Sequence, residues 1–293
     1  MRATGQRIIV AWSWISSLLL VAAVGSIVGF LLCKGVPVLN LELIFGKTGP
    51  FDALLLRKPV INGLLPAVAG TFFLVMTAVA LALPVGIAAG IYMSEYSQGR
   101  VERGLTLFFD LLAGIPSIVV GLFGFSLTIF LHQHFNRRIY PCLLISALSL
   151  AFLVLPYIIR GTQAALENLP RKTRLIAPAL GATQLQNIFF VLLPKALDGI
   201  TSSTILAIGR CAEDTAVIML TGAVASAGIP DSLLGAYEAL PFYIYYISSQ
   251  YMDQQELLKG YGAATILLLL CTTLFSVSLL IKTLLANSAR VRV

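Results

Sequence analysis

Six stretches of this chain run for twenty or more residues with almost no charge: 8–33, 59–94, 111–131, 139–159, 199–222 and 260–281. Five of them carry no charged residue. The stretch 199–222 carries three, Arg210, Glu213 and Asp214. At 1.5 Å per residue, about 20 residues cross the roughly 30 Å of hydrocarbon in a bilayer. Backbone N–H and C=O groups cannot be left unpaired in lipid, so each stretch is expected as a helix. Composition agrees: 58% of the 293 residues are hydrophobic and 11% are charged, against about 25% charged in soluble domains. The expected fold class is an all-α polytopic membrane protein with six transmembrane helices.

The first stretch follows Arg2 and Arg7, which raises a secretory signal peptide as an alternative. Its uncharged core is 26 residues long, beyond the 7–15 of a signal peptide, and no clear small-residue cleavage site follows. It reads as an uncleaved helix, with Trp12 and Trp14 suited to an interfacial belt. With the N-terminus placed in the cytoplasm, twelve lysines and arginines fall in inside loops and seven outside, and Arg210 lies in the membrane. The positive-inside rule favours that orientation, with both termini cytoplasmic. The formal charge of +7 then reports topology, and no nucleic-acid partner is expected.

Cys33, Cys142, Cys211 and Cys271 lie in or at the ends of spans without paired spacing, as buried apolar thiols do. His132 and His134 sit in an outside loop and are read as solvated, so no metal site is expected. No Walker motif, Ser-His-Asp set or paired-carboxylate pattern is present, so the chain is expected to be no enzyme and to bind no cofactor. Asp110, near the inside end of the third span, fits helix-end solvation. The aromatic segment 232–252 suits an interfacial helix at the outer surface.

The longest polar segment between spans is 160–198. Leu169-Pro170 should stop the helix that continues from the fourth span. Thr173 is an expected N-cap, Gly181 an expected helix stop, and Pro194 an expected re-entry point after a second helix over 184–193. Within it, Ala177, Gly181 and Val191-Leu192-Leu193-Pro194 keep the spacing E-A-A-x3-G-x9-I-x-L-P. That spacing resembles the cytoplasmic loop of permease subunits from ABC importers. The resemblance implies a helix-turn-helix that docks into a separate ATPase, with Arg174, Ala177, Gly181, Ala182 and Pro194 as coupling residues. Leu175 stands where that family has Glu, so a charged contact is lost there or replaced through Arg174.

A longer match sharpens the family. Gly114-Ile115-Pro116-Ser117-Ile118-Val119-Val120-Gly121-Leu122-Phe123-Gly124, Leu83-Pro84-Val85-Gly86, Ser94-Glu95-Tyr96 and Leu155-Pro156-Tyr157-Ile158-Ile159-Arg160 are similar to phosphate-importer permeases. Glycines in such strings let helices approach closely. The resemblance implies the type-1 ABC permease fold and a domain layout of a first helix with its outer loop (1–61), a permease domain (62–286) containing the coupling loop, and a short tail (287–293).

Arg210 lies twelve residues beyond Asp198, about 18 Å along a helix. A charge at that depth costs a few kcal/mol unless it is paired or hydrated. Glu213 and Asp214, three and four residues on, can share its face. Related permeases read Gly-Arg-x-x-Gly-Glu-Thr-Ala-Pro here, against Gly209-Arg210-Cys211-Ala212-Glu213-Asp214-Thr215-Ala216-Val217. Two readings stay open. Arg210, Glu213, Asp214 and Thr215 form part of a substrate pathway, or the charged trio is a helix-locking clamp. The extra carboxylate of Glu213 opposes an anion unless a partner supplies positive charge or one carboxyl is protonated; otherwise the solute is not phosphate.

The function implied is a permease subunit of an ATP-driven importer, with inorganic phosphate as solute. Its partners are a second permease subunit in a heterodimer, two ATPase subunits that use ATP, an extracytoplasmic substrate-binding protein, and lipid. The location is a bacterial or archaeal plasma (inner) membrane. Molybdate, tungstate or sulfate is the alternative solute class, and a membrane scaffold or sensor the alternative function.

Overall fold

In a computed structural model the chain is described over residues 2–46, 63–135, 137, 140–225 and 227–291. Among the described residues, six apolar helices are long enough to cross a membrane, one on each stretch the sequence places. Span 1 is α1 (Arg2–Gly35), which leads through a short turn to α2 (Leu41–Phe45). Span 2 is α3 (Leu65–Glu95). Span 3 is split. An amphipathic helix α4 (Gly99–Ala113) precedes it, and the span proper is α5 (Ser117–His134). Span 4 is α6 (Leu143–Glu167). A loop carries α7 (Arg171–Ala179) and α8 (Gln184–Asn187). Span 5 is α9 (Leu193–Glu213) followed by α10 (Thr215–Thr221). After an ordered segment come α11 (Leu240–Gln250) and span 6, α12 (Gln254–Val291). The expected start of span 2 at 59 and the outer loop before it lie outside the described residues.

Two expected boundaries are corrected. Span 3 begins at Ser117, not 111, because Pro116 is extended (φ −59°, ψ 136°) and ends the preceding helix at Gly114. Proline has no N–H for the helix ladder and disfavours the α region before it. The residues from Leu111 therefore belong to α4, whose Val101, Leu107, Phe108 and Leu111 are exposed. The aromatic segment 232–252 divides as well. Its α11 half is helical with Tyr245 and Tyr246 exposed, whereas Tyr237 is wholly buried in the main core. Tyr237 is held there because its backbone pairs with Val224, and the same segment offers the carbonyls of Gly235 and Leu233 to the first N–H groups of α6. Those N–H groups have no partner within their own helix.

The core centres on α6, which buries residues on nearly every turn, while α1 is exposed over most of residues 9–34. Glycines set the closest crossings. A Cβ on Gly90 would lie 2.6 Å from the Thr162 Cβ and 2.8 Å from the Ile159 carbonyl oxygen, so α3 and α6 meet nearly backbone to backbone. Gly121, in the string singled out above, faces the backbone of Ala216 and Val217 in α10 at 3.1 Å from a built Cβ. Close approach of this kind replaces the hydrophobic effect as the force between helices in lipid. Gly90→Val is expected to cost about 1–3 kcal/mol by overpacking, read as a lowered thermal unfolding midpoint in detergent. An unchanged midpoint would contradict the crossing described.

Candidate functional site

The fifth span breaks at the residue the sequence placed on a helix face. Asp214 is extended (φ −75°, ψ 110°), which ends α9 at Glu213 and starts α10 at Thr215. Its carboxylate accepts the backbone N–H of Val217 at 2.8 Å, an N-cap. A short acid can make this bond only by leaving the helical ladder, which is why Asp favours helix starts over interiors. Asp214 is also buried. The two carboxylates act on Arg210 differently from the shared-face pairing expected. Glu213 accepts from the Arg210 guanidinium at 3.0 Å, while Asp214 caps α10 and reaches Arg210 through its electrostatic field alone.

This arrangement relieves the charge imbalance read from the sequence. Arg210 and Glu213 cancel, and the Asp214 carboxylate accepts the Val217 N–H at the start of α10. Cys211 and Ala212 face the core, and Arg210 and Glu213 project from the opposite side, 46% and 62% exposed. Among the described residues Arg210 makes one side-chain hydrogen bond, to Glu213. A guanidinium has five N–H donors, so this half-exposed side chain has donors to offer a further partner. Tyr157 of α6 lies within electrostatic reach of Arg210. Gly209 seats α9 against Phe275 of α12, which fixes the height of the pair. Thr215 is the first residue of α10. Replacing Asp214 with Ala is expected to destabilise the protein by about 0.5–2 kcal/mol, and Asp214→Asn to be nearly neutral, both measurable as thermal unfolding in detergent.

The second candidate region is the loop between spans 4 and 5. Pro170, extended at ψ 139°, is the N-cap of α7 and accepts the Thr173 N–H at 2.9 Å. Thr173 thus sits inside the first turn and is not the N-cap expected. The spacing motif is a helix C-cap. Gly181 adopts φ +84°, its N–H reaches the Pro178 carbonyl at 2.9 Å, and the Ala182 N–H reaches the Ala177 carbonyl at 3.1 Å. These are the two crossed bonds of a Schellman turn, which needs a left-handed residue where glycine sits. Thr183 and Gln186 then form a capping box that starts α8.

Pro194 lies in the first turn of α9, at the re-entry point expected, and the chain reaches it from α8 through a wide π-helical turn (Ile188–Leu192). The wider turn brings the chain to a proline that has no N–H to donate.

The outer face of this loop is apolar. Leu175, Ile176, Leu180, Leu185, Phe189 and Phe190 are all exposed, an arrangement that marks a surface for a partner. Leu175, at the position of the expected Glu, is 65% exposed. Arg174 points inward and pairs with Glu95 at 2.6 Å. Three further polar contacts were not read from sequence. Arg160 bonds Asp110 at 2.5 Å and the Thr106 carbonyl at 3.0 Å, tying α6 to α4, and Asn187 donates to the Arg174 carbonyl. Their partners lie 13 to 54 residues away in sequence, and no local pattern announces such pairs. Among the described residues no three His, Cys, Asp or Glu side chains are grouped to hold a metal.

Six membrane helices, a central buried span, a broken fifth span and a capped loop with an apolar outer face define an α-helical membrane permease. Its fold is that of type-1 ABC transporter permeases. The MetNI methionine ABC transporter in inward-facing conformations superposes with a TM-score of 0.55 at 20% identity, covering 81% of this chain and 99% of that one. An amino acid ABC transporter crystallised with histidines gives 0.51 at 16% identity, over 73% of this chain and 89% of that one.

The chain belongs to the binding-protein-dependent transport system inner membrane components, whose family model matches residues 82–290. The phosphate transport system permease protein PstA of Haemophilus influenzae is 30% identical over 94% of this chain and 93% of its own length. The protein of the same name from Pasteurella multocida is 30% identical over 82% and 80%. PstA 1 of Mycobacterium tuberculosis is 33% identical over 73% and 67%.

Proposed function

We propose that this chain is the transmembrane subunit through which an ATP-driven importer moves inorganic phosphate. The observation that carries the solute is end-to-end similarity to permeases named for phosphate transport. The geometry suits it, since Arg210 offers a guanidinium within the membrane on a face left open by the fold. A second, similar permease closes the pathway opposite that face, as a heterodimer. Two ATPase subunits dock on the apolar face of the α7–α8 loop in the cytoplasm, and an extracytoplasmic binding protein delivers the solute. Both termini are cytoplasmic, in the plasma membrane of a bacterium or archaeon.

The mechanism is alternating access. ATP binding draws the ATPases together, the α7–α8 loop moves with them, and the cavity at Arg210 changes the side to which it opens. Arg210 holds the anion by charge-assisted hydrogen bonds, and Glu213 takes back the guanidinium when the anion leaves. The guanidinium is thereby paired in both states, with Glu213 or with the anion, and the released Glu213 lies on the exposed face. The test is labelled-phosphate uptake by the reconstituted complex with excess unlabelled oxyanions. Phosphate should compete and sulfate or molybdate should not. Competition by molybdate or sulfate in place of phosphate would move the solute to that oxyanion.

A further inference from the structure

Helix α7 has no buried side chain, so apolar packing does not fasten it to the membrane domain. Its backbone is tied to the rest of the loop by Asn187, which donates to the Arg174 carbonyl at 2.9 Å, and its tie to the ends of the spans is the Arg174 side chain. One guanidinium nitrogen donates to the Glu95 carboxylate at 2.6 Å and another to the Leu166 carbonyl at 2.6 Å. Glu95 is the last residue of α3, and Leu166 lies in the last turn of α6. One side chain thus joins α7 to the ends of spans 2 and 4.

The acceptor is itself braced. The Ser94 hydroxyl donates to the same Glu95 oxygen at 2.9 Å, and the Gln184 amide donates to the Glu95 carbonyl at 3.0 Å. The two charged side chains are 24% and 10% exposed, so water screens them far less than it screens a surface pair. The second half of the loop is held differently, by Ile188 and Leu192 packed on Leu166. Apolar burial fastens one half of the loop, and an ion pair fastens the other.

We propose that Glu95 is a positioning residue for transport, making α7 and span 2 move as one body through its bond to Arg174. This rests on the reading of the loop as the ATPase docking element. The Leu169-Pro170 break and the Gly181 turn flank α7 and give it two pivots. With the pair intact, a displacement of α7 is carried into α3 and, through the close crossing at Gly90, into α6. With the pair broken, α7 swings on its pivots while the spans stay in place. ATP hydrolysis then proceeds without moving solute.

The experiment reconstitutes the complete complex with Glu95→Gln, Arg174→Gln, or both, and measures phosphate imported per ATP hydrolysed and the amount of ATPase that co-purifies. Glu95→Gln should keep the ATPase bound and lower phosphate per ATP at least fivefold. Adding Arg174→Gln to it should lower the ratio no further, as expected of two residues acting as one unit. A ratio unchanged by Glu95→Gln overturns the proposal, and so do losses that multiply in the double variant. Loss of co-purifying ATPase assigns the pair to folding or docking and overturns it as well. Unmodified complex that hydrolyses ATP but imports no phosphate refutes the solute reading, and that is seen before any variant is compared.

Discussion

Neutralising the membrane pair as Arg210→Gln with Glu213→Gln should lower phosphate uptake about ten- to a hundredfold in complexes that assemble normally. The estimate follows from a charged hydrogen bond worth about 1.5–3 kcal/mol and 1.36 kcal/mol per decade of rate. Asp214 is left intact because its carboxylate caps α10, and changing it would confound transport with stability. The double replacement removes both charges of the 3.0 Å pair together, and leaves Asp214 held by its bond to the Val217 N–H. A structural clamp would be replaced adequately by two neutral hydrogen-bonding amides, and uptake would stay near normal. That result would move Arg210 from pathway to scaffold.

The other large effect is expected at Gly181. Its φ of +84° costs a residue with a side chain about 1–2 kcal/mol, and more for a β-branched one. Gly181→Val should unseat the Schellman turn, swing α7 relative to α8, and break up the apolar face formed by Leu180, Leu185 and Phe189. Uptake and co-purification of the ATPase should both collapse while the membrane domain still inserts. Among the described residues other than its two chain neighbours, nothing lies within 4 Å of a Cβ built at Gly181, so the effect comes from backbone conformation. Asn tolerates the left-handed region, and Gly181→Asn should therefore retain most of the uptake. Equal activity of Gly181→Val and the unmodified protein would remove the turn from the account.

The six spans were legible because hydrophobic length is a property of the sequence itself. The loop motif was legible as a spacing, and Gly181 as a helix stop, since few residues but glycine take a left-handed turn. What local reading missed were choices between competing local bonds. Asp214 fits a helix face by its i+4 spacing, yet its carboxylate is better satisfied by the Val217 N–H. Thr173 has a capping side chain, yet Pro170 comes first and already sets the extended geometry that begins a helix. The inward orientation of Arg174 depends on Glu95, which is 79 residues earlier. No periodicity links two such positions, because the packing of α3 on α6 brings them together.

The central claim is that phosphate crosses the membrane through this chain when ATP is hydrolysed by subunits docked on its α7–α8 loop. Its most direct test is uptake of labelled phosphate into vesicles that hold the purified complex, with ATP on the docking-loop side and the binding protein on the other. The account predicts uptake that requires ATP, stops with a non-hydrolysable analogue, and is lost when this chain is omitted. Phosphate uptake that persists without this chain, or ATP hydrolysis by the full complex with no phosphate entering, would contradict it.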